Sequence, residues 1–189
     1  FIIALAGLFV CSCGNKQIAF PENCLTFDTP SGKALKVACV FHGSLAFEYD
    51  GKVIQVDPVT HMGEMKIDYS AFGKADAIFI THSHPDHLCP PAIDTLSSEK
   101  TLLYGNAESV AALGRGCVLA NGDSGELAGG ISYLVVPAYN TTAGREVFHP
   151  KGNGNGYIFD FDGFRVYVAG DTEPIGEMSE FGNIDLAFL

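Results

Sequence analysis

The chain has 189 residues, 47% of them hydrophobic, and carries 11 Lys+Arg against 22 Asp+Glu for a formal net charge of −11. That length and apolar content suffice for one sizeable core, and length predicts one domain. The acidic balance, with no Lys/Arg cluster in the sequence, excludes the basic stripe that a long polyanion needs, so no nucleic-acid partner is expected. A small phosphorylated or carboxylated substrate held at a local cationic site is not excluded.

Phe1 to Val10 is an unbroken run of apolar and small residues, too short for the roughly 20-residue helix that spans a bilayer. It fits the apolar part of a signal peptide, and Val10-Cys11-Ser12-Cys13-Gly14-Asn15 resembles a bacterial lipobox with Cys13, or failing that Cys11, as the lipid-bearing residue. The alternative is a buried strand. On the first reading, residues 1–13 are a partial lipoprotein signal peptide. The protein is then exported and membrane-anchored, on the periplasmic side or the surface of a bacterium, and touches the membrane only through its lipid. Residues 14–33, rich in Pro, Asn, Thr and Gly, read as a tether with turns. Cys24, Cys39, Cys89 and Cys117 share no C-x-x-C spacing and fit either disulfides or small core residues.

From Ala34 the pattern becomes β-rich. Strands are expected over 34–41, 44–49 and 52–57, separated by His42-Gly43 and by Asp50-Gly51, a dipeptide suited to a two-residue hairpin turn. Residues 62–74 read as irregular. Ala77 to Thr81 is a short apolar run of the kind that forms a buried strand. Helices are expected over 90–96 and 107–113, the second closed by Gly114, with a strand over 101–104 between them. Residues 121–130 are turn-rich, 131–137 a strand, 138–155 a polar loop. Strands over 157–161 and 164–169 form a hairpin across Asp162-Gly163. Asp185 to Leu189 reads as a strand beginning or in mid-course, and with no initiating Met the sequence is expected to be a piece of a longer chain. Early hairpins followed by strands interleaved with short helices predict a mixed α and β domain with helices outside sheets.

The densest chemistry is Thr81-His82-Ser83-His84-Pro85-Asp86-His87-Leu88, placed where the Ala77 strand leaves its sheet. In an extended chain residues i and i+2 point the same way, so His82 and His84 can reach one ion. Pro85 bends the path and frees Asp86 and His87 to face a second point. Imidazole and carboxylate are ligands for zinc, or for manganese or iron in its place. Downstream, Val166 to Val168 reads as a buried strand that ends in Ala169-Gly170-Asp171-Thr172, and the two oxygens of Asp171 can bridge two ions.

H-x-H-x-D-H after a strand, Asp57-Pro58 ending an upstream strand, and Gly170-Asp171-Thr172 together resemble the metallo-β-lactamase-fold hydrolases. Phe41-His42-Gly43-Ser44 before the strand-Asp-Gly-strand unit is most similar to the branch with ascorbate-phosphate lactonase-like proteins. The resemblance covers about Ala34 to Leu189, the expected domain, and implies an α/β (α+β) fold: an αββα sandwich, truncated at its C-terminus. It implies one or two metal ions, usually Zn2+. His82 and His84 would hold the first ion, Asp86 and His87 the second, with Asp171 bridging and Asp57 steadying the metal loop from behind. The family's third first-site histidine has no counterpart at Pro137-Ala138-Tyr139-Asn140. His149 is the nearest candidate, as a ligand, a substrate-facing group or a solvated side chain. A last second-site ligand would lie beyond Leu189.

The expected reaction is hydrolysis of an ester, lactone, amide or phosphodiester bond in a small molecule by a metal-activated hydroxide. Asp86 would orient the nucleophile, while Tyr139, His42 or His149 would polarise the substrate or protonate the leaving group. His42 could equally cap a strand end. The competing reading is a lipoprotein on the same fold that binds metal or a ligand without turnover. A redox role is a third, but nothing in the sequence suggests the flavin partner it would need. Gly152-Asn153-Gly154-Asn155-Gly156 is not read as a nucleotide loop, because a strand follows where phosphate binding needs a helix N-terminus.

Overall fold

In the computed structural model, which describes residues 20–189, two Asp-Gly pairs set the register of the strands around them. Asp50 and Gly51 have φ of 48° and 77°, and Asp162 and Gly163 have φ of 51° and 93°. Positive φ at both central residues gives a turn whose twist matches its strands. In chain order the elements are β1 (Leu25–Asp28), β2 (Ala34–Phe41), β3 (Ser44–Tyr49), β4 (Lys52–Val56), β5 (His61–Met62), β6 (Met65–Lys66) and β7 (Ala77–Ile80). There follow α1 (Pro90–Leu96), β8 (Leu102–Gly105), α2 (Ala107–Leu113), β9 (Cys117–Val118), β10 (Ser124–Leu127), β11 (Ile131–Ala138), β12 (Gly154–Phe161), β13 (Phe164–Val168) and β14 (Leu186–Phe188). A 3₁₀ turn, Gly176–Glu180, lies between the last two strands. The candidate signal peptide with Cys13, and the first part of the expected tether, lie outside the described residues.

The strands form a seven-stranded sheet in the order β1-β2-β3-β4-β7-β8-β9 and a five-stranded sheet in the order β10-β11-β12-β13-β14, with β5 and β6 as a separate pair. Between the two sheets lies the main core, with Phe47, Tyr49 and Phe79 from the first packed against Tyr157, Phe159 and Phe161 from the second. The ring of Phe79 lies 4.9–5.1 Å from those of Tyr104, Tyr133, Tyr157 and Phe159. β7 is buried on both faces: Ala77 and Phe79 enter this core, while Ile78 and Ile80 pack outward with Ile93 and Leu96 of α1. A central strand with no solvated face reads as an unbroken apolar run. The outer face of the second sheet is closed by Phe181 against Val136, Ile158 and Tyr167. The sandwich is thus the expected one, with its second outer layer reduced, among the described residues, to the 3₁₀ turn and its flanks.

The structure departs from the sequence reading in a few places. Leu25–Asp28, inside the expected tether, pairs antiparallel with β2 in the register Leu25↔Val37, and Phe27 packs 5.5 Å from Phe164. The edge of β2 and the Phe27 contact carry that pairing, since Leu25 is 53% exposed. Ser124–Leu127, inside the turn-rich stretch, is an edge strand on β11. Its Gly125 leaves room for the Tyr133 phenol, which a Cβ would meet at 2.6 Å. Cys24, Cys39, Cys89 and Cys117 are free thiols, and no two of them pair among the described residues.

The second sheet grips the end of β7 directly. The buried Tyr157 hydroxyl donates to Ile80 O at 2.6 Å, and Asn155 N donates to Thr81 O at 2.9 Å. Asn155 is held in turn by its own bond to Leu119 O and by Asn121. The Gly/Asn run is therefore a seam between the sheets beneath the histidine loop. Replacing Tyr157 by Phe strands a buried carbonyl, and we expect a loss of about 1–3 kcal/mol, read by urea denaturation. An unchanged midpoint would show that water replaces the bond.

Candidate metal centre

The carboxylate of Asp57 is the first fixed point of the site. It closes β4 with φ of 44° and is 1% exposed. β4 runs parallel to β7, so its end lies beside the start of the histidine loop. Oδ1 accepts from Thr81 N at 2.8 Å, and Oδ2 accepts from Thr81 Oγ1 at 2.6 Å and from His87 Nδ1 at 2.8 Å. With Nδ1 committed as a donor, the ring presents Nε2 to the site. That nitrogen is buried, lies 3.2 Å from Asp171 Oδ1, and makes no aligned hydrogen bond. A Cβ on Gly43 would stand 2.7 Å from Cε1 of the same ring, so the hairpin between β2 and β3 needs glycine at this point.

Two groups of donors lie side by side. The first is His82, His84, His149 and Asp171, the second His42, Asp86 and His87. In the first, His82 Nε2 and His84 Nδ1 are 3.1 Å apart, His84 Nδ1 and His149 Nε2 3.2 Å, His149 Nε2 and Asp171 Oδ2 3.2 Å, and His82 Nε2 and Asp171 Oδ2 3.8 Å. A tetrahedral zinc with bonds of about 2.0–2.1 Å has ligand-to-ligand edges of about 3.3–3.4 Å, so this spacing is that of a coordination shell. In the second group His42 Nε2 lies 3.3 Å from Asp86 Oδ2. Asp171 turns one oxygen toward each group.

The electrostatics fit a cation as well. Burial, aided by the charge on His87, pushes the His82 imidazole down to about 3, so it offers a lone pair at neutral pH. Burial also opposes charge on His87, but the Asp171 carboxylate 3.2 Å from its Nε2 and the Nδ1 bond to Asp57 outweigh it and raise that group to about 10. The same close approach of His87 holds the Asp171 carboxyl well below the usual range against its own burial. A neutral His82, an ionised Asp171 carboxylate and a buried His87 Nε2 with no aligned partner converge at one point. The donor chemistry suits a divalent cation in each group.

The geometry gathers five of the six histidines. It brings His82, His84 and Asp171 together in the first group and Asp86 and His87 together in the second. His149 joins the first group, although its loop gave no spacing signal. His42, read as substrate-facing or as a cap, faces Asp86 and His87. Tyr139 is not brought to the groups: its hydroxyl bonds to Glu177 at 2.9 and 3.1 Å and accepts from Lys151 at 3.1 Å, so its expected part in catalysis finds no support here. Sequence reasoning missed Thr81 and Gly43, for which no motif signals a role. A cavity of about 230 Å³ lined by Cys39, His42, His87, Val168, Asp171 and Phe188 opens beside the second group.

Residues 36–189 match the family described as the beta-lactamase superfamily domain. A relative from Pyrococcus abyssi is 30% identical over 158 residues, covering 79% of this chain and 69% of its own, and one from Thermococcus kodakarensis is 31% identical over 157 residues with the same coverage. Both are named metal-dependent hydrolases, with no narrower substrate. A crystal structure from Parabacteroides distasonis, provisionally named a metal-dependent hydrolase, superposes with a TM-score of 0.83 at 48% identity over 88% of this chain and 74% of that one. A metallo hydrolase from Ignicoccus hospitalis does so with a TM-score of 0.61 at 26% identity over 78% and 65%. With five histidines and two carboxylates gathered at one edge of a two-sheet sandwich, this chain belongs to the beta-lactamase superfamily, on the metallo-β-lactamase fold.

Proposed function

We propose that this chain is a metal-dependent hydrolase that holds one divalent cation in each group, zinc by preference, and cuts an ester, lactone, amide or phosphodiester bond of a small molecule. The observation that carries this reading is Asp171, whose two oxygens lie 3.2 Å from His149 Nε2 and 3.2 Å from His87 Nε2. Three imidazoles with a carboxylate favour zinc over harder ions. Bound there, a cation pair would supply Lewis acidity, making a water nucleophilic near neutral pH and offsetting charge on the substrate oxygen.

The chain's own residues supply position and proton traffic. Asp57 and Thr81 hold His87 so that its Nε2 faces inward. Asp86, half-buried beside His42, accepts a hydrogen bond from the attacking water and so aims its oxygen at the carbonyl carbon or phosphorus. The departing oxygen or nitrogen leaves with a proton drawn from that water. The cavity beside His42 and His87 has the size for part of a small substrate.

The coupled test is metal content and turnover on a panel of esters, lactones, amides and phosphodiesters. Two cations per chain and hydrolysis lost on chelation are expected, with His84→Ala lowering both. Activity that survives chelation and His84→Ala would falsify the reading, while metal binding without turnover on any member would favour a non-catalytic binder. Asp57→Ala removes the anchor of His87. It should weaken metal binding at the second group by roughly 10–100-fold and cost about 1–3 kcal/mol by leaving Thr81 N–H unpaired. Equal affinity in the two proteins would remove Asp57 from that role.

A pH dependence follows from His87. Below about 10 its imidazole is protonated in the metal-free chain, so a cation entering the second group displaces one proton. Affinity there should rise about tenfold per pH unit through the neutral range, whereas His82, neutral above about 3, adds no such term to the first group. Calorimetry in buffers of different ionisation enthalpy reads the released proton. A pH-independent affinity at both groups would refute the assignment.

A further inference from the structure

His149 reaches the first group from residues 139–153, a long connection between β11 and β12 with no strand or helix of its own. Such loops are mobile unless tied down, yet its Nε2 must stay 3.2 Å from both His84 and Asp171. Its internal ties are mostly short-range turns, such as Arg145 N to Thr142 O and Phe148 N to Arg145 O. Asn140 N donates to His149 O at 2.9 Å, and the Asn140 amide faces His149 Nδ1 at 3.1 Å and Arg145 O at 3.0 Å.

Apart from Asn106, which holds Asn153 at the loop's end, the external side-chain ties run to one place, the segment that follows Asp171. A single oxygen of Glu173 accepts from Thr141 N at 2.8 Å, Thr142 N at 2.6 Å and Thr141 Oγ1 at 3.1 Å. Its other oxygen lies 3.5 Å from Arg145. At the far end of the loop, Glu177 accepts from Lys151 at 2.7 Å and from the Tyr139 hydroxyl at 2.9 Å, and the Lys151 ammonium stands 4.7 Å over the Tyr139 ring. Thr172 adds bonds to Tyr139 on both sides of that residue's backbone. The loop is therefore pinned before and after His149, in both cases by a carboxylate two or six residues beyond Asp171.

We propose that Glu173 and Glu177 are positioning residues that hold His149 in the first group by fastening its loop to the segment that carries Asp171. The inference rests on the reading of that group as a metal site. Neither residue touches the donor set. Both act by making His149 and Asp171 move as one piece, so that the third imidazole and the bridging carboxylate are delivered together. The Glu173 carboxyl is held down at about 2 by the Thr141 and Thr142 N–H groups, and that of Glu177 at about 2 chiefly by Lys151. Both clamps are thus closed across the neutral range.

The test titrates the metal-free full chain with Co2+ and follows affinity and the visible spectrum of the first site. The proteins are wild type, Glu173→Ala with Glu177→Ala, His149→Ala, and the triple variant. Both glutamates are partly exposed, and thermal melting checks that folding is retained. The clamp variant should bind about tenfold to a hundredfold more weakly at the first site, with a spectrum that approaches that of His149→Ala. Adding His149→Ala to it should cost little more, because the imidazole has already been released. Glu173→Gln with Glu177→Gln, which keeps acceptor oxygens but no charge, should recover part of the affinity. Losses that simply add in the triple variant, with no recovery by Gln, would mean that the glutamates act only as distant negative charge and would overturn the proposal. So would unchanged affinity in the clamp variant, while leaving the metal site itself intact. No Co2+ binding by wild type would overturn the metal-site reading and this inference together.

Discussion

Three short hydrogen bonds converge on the Asp57 carboxylate, and the order of the site depends on them. They tie together the end of β4, the residue that ends the β7 strand and a ring six residues further on. A buried carboxylate is costly to desolvate unless its oxygens are filled, and these two accept from three donors. The same bonds impose a direction on the loop. Thr81 must turn its N–H and its hydroxyl to the same carboxylate, which sends His82 and His84 onward to one side. His87 must return to meet Oδ2, which sets its Nε2 toward Asp171. The spacing of the histidine motif is what such a return path requires: two donors going out, a proline bend, and two donors coming back.

The loop also needs a floor, and the second sheet supplies it. Tyr157 and Asn155 bond to consecutive carbonyls, those of Ile80 and Thr81. Asn155 is held by Asn121 and Leu119, and Asn106 caps α2 through Ser109 N while bonding to Asn153. Glycines 154 and 156 let β12 lie close to its own sheet neighbours, where a Cβ would meet Ala138 O at 2.6 Å or Ala169 O at 3.0 Å, and Gly170 admits the Thr81 side chain of the other sheet, which a Cβ would meet at 3.0 Å. The histidine loop is thus clamped from the first sheet by Asp57 and from the second by the Asn/Gly seam, and the donor groups lie over the joint.

Much of this was legible in the sequence because it is local. Apolar runs and Asp-Gly turns place β2, β3, β4, β12 and β13 within a few residues, and the 81–88 motif names four of the donors. The rest is not local. Leu25–Asp28 has a weak pattern and becomes a strand only because β2 offers it an edge. His149 carries no spacing signal, since its place is set by bonds from Glu173 and Glu177 that lie more than twenty residues away. Gly43 is needed for the bulk of a ring far along the chain. Tyr139 read as a candidate from its nearness to the expected ligand position, yet its phenol serves a loop tie instead. Side-chain identity announces what a residue can do, while tertiary contacts decide what it is left free to do.

The two donor groups differ in how they are held, and the difference bears on how this fold can vary. His42, Asp86 and His87 sit on a tight hairpin and on the anchored loop, backed by strand ends and by the Asp57 bonds. The first group takes His82 and His84 from that same loop but His149 from a connection that borrows its order from the Asp171 segment. Changes in length or composition within 139–153 therefore act on one imidazole of one group and leave the other group standing. They also act on Val147 and Phe148, 77% and 62% exposed, which directly precede His149. A fold that keeps one group on rigid elements and hangs the other partly on a loop can alter its substrate surface without rebuilding its core. The requirement it cannot relax is that the segment after Asp171 keep its hold on that loop.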